Sequence, residues 1–284
     1  MSFDSTGKVS LEEIYTQPDP RAYFQTLRRL DYCIPQLAKP YFTELIQSYR
    51  AGQSNDAVVR VLDIGCSYGI NAALLRCDAT MDELYERYSD VPAVSCRADL
   101  LEHDRQLVQS RNRLPYARFF GLDVAEQALS YASRAGWLDG AIQADLERNE
   151  PGPAVQEQLG SMDLVFSTGC VGYVTDKTLR RVLRAQGTKR PWMAHFVLRM
   201  FPFEQTAALL NEFGYQTRRI GPAFKQRLFS SPQEQQQILQ TLAAVDVDST
   251  GLEDQGWLYA QLYLSLPQDT AAEPLIHRLT ALGG

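Results

Sequence analysis

The residues with the clearest capacity for chemistry lie between positions 61 and 70, where an apolar run ends in Asp63 and a glycine-containing turn follows at once. Gly65 and Gly69 allow the backbone to turn sharply and to approach a ligand without a Cβ atom in the way. Residues 71–76 then have the pattern of a helix start. A buried strand, a tight turn and a helix N-terminus in this order are typical of sites for nucleotide-like ligands in open α/β sheets.

Two more acids follow apolar segments further along the chain. Asp123 ends the segment 117–123 and is followed by Val124, and Asp145 ends a shorter segment and is followed by Leu146. A carboxylate can accept hydrogen bonds from both hydroxyls of a ribose as a charge-assisted bidentate pair. One strand-ending aspartate alone is more typical of a helix cap than of a ligand contact, but this ordered series predicts one binding edge.

The spacing Asp63-x-Gly65-x-x-x-Gly69 resembles motif I of the class I methyltransferases that use S-adenosylmethionine (SAM). Many members of that family carry a third glycine where this chain has Ser67, so the match departs from the family there. The segment 163–169 resembles motif IV of the same family. The order of the motifs extends the resemblance over much of the chain and implies SAM as the cofactor.

The resemblance also implies which residues contact SAM. Asp63 and the turn after it would hold the methionyl part and the ribose edge. Asp123 would bind the ribose hydroxyls, Val124 would pack on the adenine, and Asp145 would accept a hydrogen bond from the adenine amino group. The complete set of implied contacts in these motifs is Asp63, Gly65, Cys66, Ser67, Gly69, Asp123, Val124, Asp145, Leu146 and Ser167.

Two residues near the start of the chain extend this prediction. Tyr15 and Arg21 are predicted to close over the methionyl end of the cofactor, because an arginine fork suits a carboxylate. A solvated arginine and a tyrosine that only packs are an equally open alternative.

The catalytic residue is less evident than the cofactor site. Tyr173, in the loop after the fourth strand, is the best candidate, because a phenol can hydrogen-bond a substrate or offer its π face to the sulfonium cation. A tyrosine that only packs at a helix start is the alternative. His195 has the chemistry of a base, but its place inside a predicted buried strand favours a core role.

These residues need an α/β framework to bring them together. Strands and helices alternate, which predicts a Rossmann-like, doubly wound α/β fold, and the resemblance implies a mostly parallel seven-stranded sheet with an antiparallel last strand. Strands are predicted near residues 58–63, 117–123, 141–144, 162–167, 192–198, 215–220 and 257–266.

The chain divides into three predicted parts. Residues 1–50 are predicted to form an N-terminal helical lid segment, residues 51–267 the SAM-binding domain, and residues 268–284 a C-terminal tail. Within the domain, residues 77–116 are predicted to be a helical insertion, because a connection this long is unusual between a helix and the next strand. Two roles are open for it: a cap over the site or an oligomer contact, so a homodimer is also open.

Composition excludes several classes of function. The net charge is −6 and there is no lysine or arginine tract, which argues against a nucleic-acid partner. No segment is apolar enough to cross a membrane and the first residues do not resemble a signal peptide, so a cytoplasmic location is expected. The five cysteines and three histidines are scattered, so neither a disulfide framework nor a metal site is predicted.

The leading functional prediction is a SAM-dependent methyltransferase that acts on a small molecule, in keeping with specialised metabolism. An alternative is a non-methylating SAM enzyme on the same fold, which would cyclise SAM to azetidine-2-carboxylate and release methylthioadenosine. A further alternative is a catalytically silent SAM-binding subunit.

Overall fold

A seven-stranded sheet forms the centre of the molecule, for which a computed structural model describes residues 3–54, 56–89 and 96–283. The strands, in chain order, are β1 Val59–Ile64, β2 Ala117–Asp123, β3 Gly140–Gln143, β4 Leu164–Thr168, β5 Trp192–Leu198, β6 Tyr215–Leu228 and β7 Trp257–Pro267.

The order of the strands across the sheet is β3-β2-β1-β4-β5-β7-β6. The pairs β1–β2, β1–β4, β2–β3 and β4–β5 are parallel, whereas β7 inserts antiparallel between β5 and β6. The predicted Rossmann-like α/β fold and its antiparallel last strand are therefore confirmed. The carboxyl ends of β1, β2 and β3 meet at one edge, as a ligand site in an open α/β sheet requires.

Helices cover both faces of the sheet. Their bounds are α1 Glu12–Tyr15, α2 Arg21–Arg28, α3 Ile34–Ala51, α4 Ile70–Cys77, α5 Met81–Ser89, α6 Arg97–Arg111, α7 Glu126–Arg134, α8 Pro153–Leu159, α9 Asp176–Ala185, α10 Glu204–Glu212, α11 Pro232–Ala244 and α12 Glu273–Ala281. Helices α3, α4, α7 and α12 contribute to the core on one face, while α8, α9 and α10 contribute to the core on the other.

Part of the predicted lid belongs to the core. In α3, Phe42 is fully buried and its ring stacks on Phe166 of β4 with centroids 4.1 Å apart. Burial of such aromatic side chains against the sheet contributes strongly to stability. Residues 3–33, which precede α3, are called here the N-terminal segment.

The helical insertion packs against this N-terminal segment. Phe24 of α2 stacks on Tyr88 of α5 with ring centroids 4.4 Å apart. Residues 90–95 of the insertion lie outside the described residues. Helix α5 begins with a capping box, in which Glu83 N donates to Thr80 Oγ1 at 3.1 Å and Thr80 N donates to Glu83 Oε2 at 2.7 Å.

A buried carboxylate joins the insertion to the main domain. Asp104 of α6 is 1% exposed and accepts hydrogen bonds from the hydroxyls of Tyr88 and Tyr131, both at 2.7 Å, and from Arg87 Nε at 2.8 Å. Because each partner comes from α5 or α7, this carboxylate fixes α5, α6 and α7 together. The insertion thereby supports the N-terminal segment from behind.

Two differences from the sequence prediction concern the C-terminal third. Strand β6 continues to Leu228, because a register irregularity between Ile220 and Ala223 accommodates Gly221 and Pro222 within the strand. The predicted tail contains α12, whose Leu279 is fully buried in the core. A Gly-Pro pair in a sequence usually indicates a turn. Here Gly221 and Pro222 instead form a β-bulge within β6.

Candidate functional site

The turn after β1 has the backbone conformation that motif I requires. Gly65 and Gly69 have φ angles of 66° and 73°, and Ser67 has a φ of 49°. Left-handed conformations strain a non-glycine residue by about 1–3 kcal/mol. Ser67 therefore occupies a backbone position that suits glycine. This agrees with the glycine that many family members carry at this position of motif I.

Asp63 lies at the bottom of the turn in a buried polar cluster. The Asn71 side-chain amide donates to both carboxylate oxygens of Asp63, at 3.2 and 3.1 Å, and contacts Thr168 Oγ1 at 3.1 Å. Burial raises the pKa of Asp63 to about 7; the hydrogen bond from Asn71 opposes this and the charge of Asp123 adds to it. In the described part of the chain, no lysine or arginine forms an ion pair with Asp63, so the site can take a cation here.

Asp123 at the end of β2 organises the turn. Its Oδ2 accepts from Ser67 N at 2.8 Å, and its Oδ1 accepts from Ala125 N at 2.9 Å. A carboxylate has about four acceptor positions, so two remain for a ligand. Asp123 therefore both caps the neighbouring loops and keeps the capacity to bind a diol.

A cleft with a cavity volume of about 100 Å³ opens beside Asp123 at the carboxyl ends of β1, β2 and β3. Val124 projects at its edge with 62% of its surface exposed, although it is apolar. The lining residues include Ile64, Gly65, Leu122, Asp123, Val124, Asp145, Leu146 and Glu147. The structure thus brings together five residues of the predicted contact set: Gly65, Asp123, Val124, Asp145 and Leu146.

Asp145 also stabilises a turn. Its Oδ1 accepts from Glu147 N at 3.0 Å and from Arg148 N at 3.1 Å. Glu147, which the sequence did not single out, holds the start of α9 by accepting from Thr175 N at 2.8 Å and from Thr178 Oγ1 at 2.6 Å. The cleft wall is therefore built from hydrogen-bonded loops on two sides.

Two residues of the predicted contact set direct their side chains away from the cleft. Cys66 is 4% exposed and its Sγ packs towards Gly121, where a Cβ atom would lie only 2.4 Å from the sulfur. Ser167 is fully buried and its hydroxyl hydrogen-bonds His195 Nδ1 at 2.7 Å. Both side chains therefore belong to the core, and the predicted cofactor contacts of Cys66 and Ser167 stay predictions that only their main chains could meet.

His195 has the core role that the sequence favoured. Its ring is fully buried in β5, and burial lowers its pKa to about 4. A neutral imidazole bonded to Ser167 stabilises the sheet interior and does not reach the cleft.

The two predicted residues of the N-terminal segment behave differently. Arg21 binds Asp19 through two parallel hydrogen bonds of 2.8 Å, from Nε and Nη2. That fork is committed to Asp19, so the predicted clamp on a ligand carboxylate does not fit Arg21. Tyr15 is half-buried and lies where the charges of Arg227 and Asp123 both act on it; burial raises its pKa to about 12. The contact of Tyr15 with the methionyl end stays a prediction.

Tyr173, the predicted catalytic residue, lies on the loop after β4 and is 38% exposed. Its hydroxyl donates to Asp4 Oδ2 at 3.0 Å, and its ring packs edge-on against Phe201 with centroids 5.0 Å apart. Burial raises its pKa well above the ordinary tyrosine value, with the charge of Asp4 adding to the effect. It is therefore a hydrogen-bonding phenol at neutral pH.

Residues 3–9, called here the N-terminal strap, are the part of this region that the sequence did not reveal. The strap is fixed to α11: Val9 N donates to Glu234 Oε1 at 2.8 Å, and Thr241 Oγ1 donates to Thr6 O at 2.8 Å. Glu234 in turn forms a fully buried ion pair with Arg227, whose Nη2 lies 2.6 Å from Oε1. No local sequence pattern predicts the contacts of the strap with α11, because they join residues 225 and 235 positions apart.

Two broader features bear on the excluded classes of function. In the described part of the chain, no helix combines the length and apolar character that crossing a bilayer requires. Within the same residues, no group of three or more His, Cys, Asp or Glu side chains converges as a metal site would need.

Comparisons with known proteins give only remote structural likeness. No protein-family model matches the chain, and no curated protein matches it. The chain is similar to the plantazolicin methyltransferase BpumL in complex with SAH, at 14% identity over 90% of this chain and 93% of that one, with a TM-score of 0.44. It is also similar to magnesium protoporphyrin IX methyltransferase (ChlM) from Synechocystis PCC 6803 with bound SAM, at 10% identity over 86% and 84% of the chains (TM-score 0.40).

A third similar structure is a SAM dependent methyltransferase from Aquifex aeolicus, at 12% identity over 91% of this chain and 98% of that one, with a TM-score of 0.40. Similarities at this level do not assign an activity to this chain. The geometry of the cleft and its surroundings has to carry the functional assignment.

Proposed function

We propose that this protein is a SAM-dependent methyltransferase that acts on a small molecule. The observation that carries the proposal is the convergence of three acids at one sheet edge. Asp63 ends β1 beside the glycine turn, Asp123 ends β2, and Asp145 follows β3, with the cleft opening between the last two. In this order the three acids suit a nucleoside with a charged tail, from its methionyl end to its adenine.

The residues present fit this cofactor. Two buried acceptor atoms near Asp63, Ser67 Oγ and Asn71 Oδ1, have no hydrogen-bond partner among the described residues. Buried polar atoms normally have partners, so these two are suited to a ligand's polar groups. At the other end, the exposed apolar side chain of Val124 suits an aromatic base.

Each residue would then have a distinct task. When bound, SAM supplies an electrophilic methyl group on a sulfonium. Asp63 and Asn71 would hold the ammonium of its methionyl part, Asp123 the ribose hydroxyls, and Asp145 the adenine amino group. Val124 would cover the base. The protein's contribution is chiefly orientation, because in-line displacement gains most from fixed geometry.

The test is calorimetry with SAM followed by a product assay. We expect binding at one site, production of S-adenosylhomocysteine only when an acceptor is present, and no nucleoside product from SAM alone. Absence of SAM binding across the neutral pH range would contradict the proposal. The homodimer left open by the sequence stays a prediction, which sedimentation of the same sample tests.

One observation favours a second candidate, the cyclisation of SAM itself. Asp63 has a pKa of about 7, so its carboxylate could take a proton from the substrate's ammonium near neutral pH. The freed amine would attack the γ-carbon, the bond from that carbon to sulfur would break, and methylthioadenosine would leave with the electron pair. The N-terminal segment also holds an aromatic cluster of Tyr15, Tyr23 and Tyr32. The ring centroid of Tyr23 lies 5.9 Å from that of Tyr15 and 6.4 Å from that of Tyr32.

The SAM-alone assay separates the two candidates. Methylthioadenosine and azetidine-2-carboxylate without an acceptor would establish cyclisation and overturn methyl transfer. An inert mixture that yields S-adenosylhomocysteine on adding an acceptor would do the reverse. SAM binding without any product, with every acceptor, would instead indicate the silent binding subunit.

A further inference from the structure

The N-terminal strap carries a lysine to the loop that holds Tyr173. Lys8 Nζ lies 5.0 Å from the centroid of the Tyr173 ring. The loop of Tyr173 adjoins the glycine turn, because Cys170 Sγ donates to Ile64 O at 3.0 Å. Lys8 therefore lies beside the loop that follows β4, and this loop adjoins the glycine turn.

Hydrogen bonds within the strap fix its conformation and therefore the position of Lys8. Asp4 Oδ1 accepts from Thr6 N at 2.8 Å, Thr6 Oγ1 at 2.6 Å and Lys8 N at 3.1 Å. Gly7 has a φ of 88°, and a Cβ atom there would lie 2.6 Å from Gln237 Cβ. The Asp4 carboxylate thus closes the turn, and Gly7 packs closely against α11.

The charged groups facing Lys8 come from every element around it. Asp4 lies on the strap, Tyr173 on the loop after β4, Arg227 on β6 and Glu234 on α11. Burial and the charge of Arg227 lower the pKa of Lys8 to about 8, against the opposing charges of Asp4 and Glu234. A minor fraction of Lys8 is therefore an uncharged amine at neutral pH, this fraction grows as the pH rises through about 8, and an uncharged amine can accept a proton.

We propose that Lys8 is a catalytic residue that accepts the proton of a phenolic acceptor bound against Tyr173; this inference rests on the proposed methyl transfer. The acceptor's O–H bond breaks and its proton goes to Lys8 Nζ, which becomes an ammonium. The new bond joins the phenolic oxygen to the methyl carbon as the sulfur–methyl bond breaks, and that electron pair stays on sulfur.

A phenol fits this place better than an amine. The ordinary pKa of a phenol is about 10, near enough to that of Lys8 for proton transfer to be efficient. The aromatic faces of Tyr173 and Phe201 suit an aromatic acceptor. A protonated amine would instead be repelled by Arg227 and by the ammonium form of Lys8.

A binding experiment tests the acceptor class without turnover. The probe is 4-nitrophenol, which becomes coloured on deprotonation, added to protein saturated with S-adenosylhomocysteine. We expect the wild type to bind the probe and to increase its coloured, ionised fraction, and K8M to lose that spectral change. K177M is the matched control, because Lys177 is exposed on α9, and it should behave as the wild type.

A kinetic experiment tests proton acceptance, with 4-methylphenol and methyl-labelled SAM. We expect the wild-type rate to rise with pH through about 8, and K8M and K8R to transfer methyl about 10²–10⁴-fold more slowly at pH 8. K8R keeps the positive charge but cannot accept a proton, so its rate should rise only at higher pH.

The outcomes distinguish this inference from the proposed function. Retained colour change in K8M, or a pH limb near 8 in K8R, would overturn the role of Lys8. Absence of 4-nitrophenol binding by a wild type that binds S-adenosylhomocysteine in calorimetry would overturn the phenol class alone. Failure of that calorimetric binding would count against the proposed function itself.

Discussion

The proposed adenine end and the proposed acceptor end of the site are constructed in different ways. The adenine end consists of residues that directly follow β1, β2 and β3, so the parallel sheet brings them together. The acceptor end consists of the N-terminal strap, the loop of Tyr173 and the Arg227–Glu234 pair, which come from three distant parts of the chain. One end follows from the fold class, and the other depends on contacts particular to this protein.

The largest expected effect comes from the ion pair beneath the strap. Glu234→Gln leaves Arg227 as a buried charge without its partner, which typically costs about 3–5 kcal/mol in the free energy of unfolding. Burial alone would raise the pKa of Glu234, but its hydrogen bonds and pairing with Arg227 hold that pKa below its ordinary value. Thermal unfolding and limited proteolysis of residues 3–9 measure the effect.

Glu273→Gln is the control for that variant, because Glu273 is exposed at the start of α12, and its melting temperature should stay close to that of the wild type. Equal stability of the Glu234→Gln and Glu273→Gln proteins would show that the acceptor end does not depend on the ion pair.

Next in size is the loss of charge at the ribose position. In Asp123→Asn, hydrogen bonds to a charged acceptor become neutral ones, which should weaken SAM binding by about 1.5–3 kcal/mol, or about 10–150-fold in Kd. Asp145→Asn should weaken it by only about 0.5–1.5 kcal/mol, because its proposed contact is a single hydrogen bond. Calorimetric Kd values compare the two, and the reverse order of effects would exclude the proposed orientation of the nucleoside.

A backbone substitution tests the turn itself. Gly65→Ala would place a Cβ atom 2.6 Å from Cys170 Cβ at a φ of 66°, and the left-handed conformation alone costs about 1–2 kcal/mol. We expect roughly 10-fold weaker SAM binding, partly restored by the double variant with Cys170→Gly. Gly152→Ala, where no atom lies within 4 Å, should leave Kd unchanged; an equal loss in both would indicate a general effect of added methyl groups.

The smallest expected effect is a pH dependence at Asp63. Between the ordinary aspartate pKa near 4 and about 7, the folded protein keeps a proton that the unfolded chain releases. The stability contributed by this group is therefore present below pH 4 and is lost as the pH rises towards 7.

A ligand ammonium beside Asp63 favours the carboxylate, so SAM binding should release up to one proton and tighten by at most about tenfold per pH unit below 7. Calorimetry at pH 6.5 in two buffers with different ionisation enthalpies measures this proton. Asp63→Asn should show no release, and proton uptake by the wild type would contradict the assignment of Asp63 to the methionyl ammonium.

The sequence predicted for physical reasons that β1, β2 and β3 would end at one edge of the sheet. The apolar periodicity of β1, β2 and β3 identifies strands, and a parallel sheet then determines that Asp63, Asp123 and Asp145 face one edge. The sequence did not reveal that Cys66 and Ser167 turn their side chains inwards, because side-chain direction at a strand end depends on local turn geometry. Asn71 offered the one missed signal, a polar amide within an otherwise apolar helix start.

The acceptor end was not predictable in the same way. Lys8, Arg227 and Glu234 each lack a motif, and their relation appears only when β6 continues past Gly221 and Pro222 and α11 packs behind it. For Arg21, the sequence correctly indicated a carboxylate partner but not which one. The carboxylate that Arg21 binds belongs to Asp19, two positions earlier.

The hydrogen bond between Val9 and Glu234 joins residues 225 positions apart, and this distance has a consequence for biosynthesis. While a ribosome is still making α11, β1 to β5 can already pair, but the strap has nothing to dock onto. Long-range closures of this kind come late and slowly in folding. The sheet edge that would bind the cofactor can therefore form first, and the strap that carries Lys8 docks only after α11 has been made.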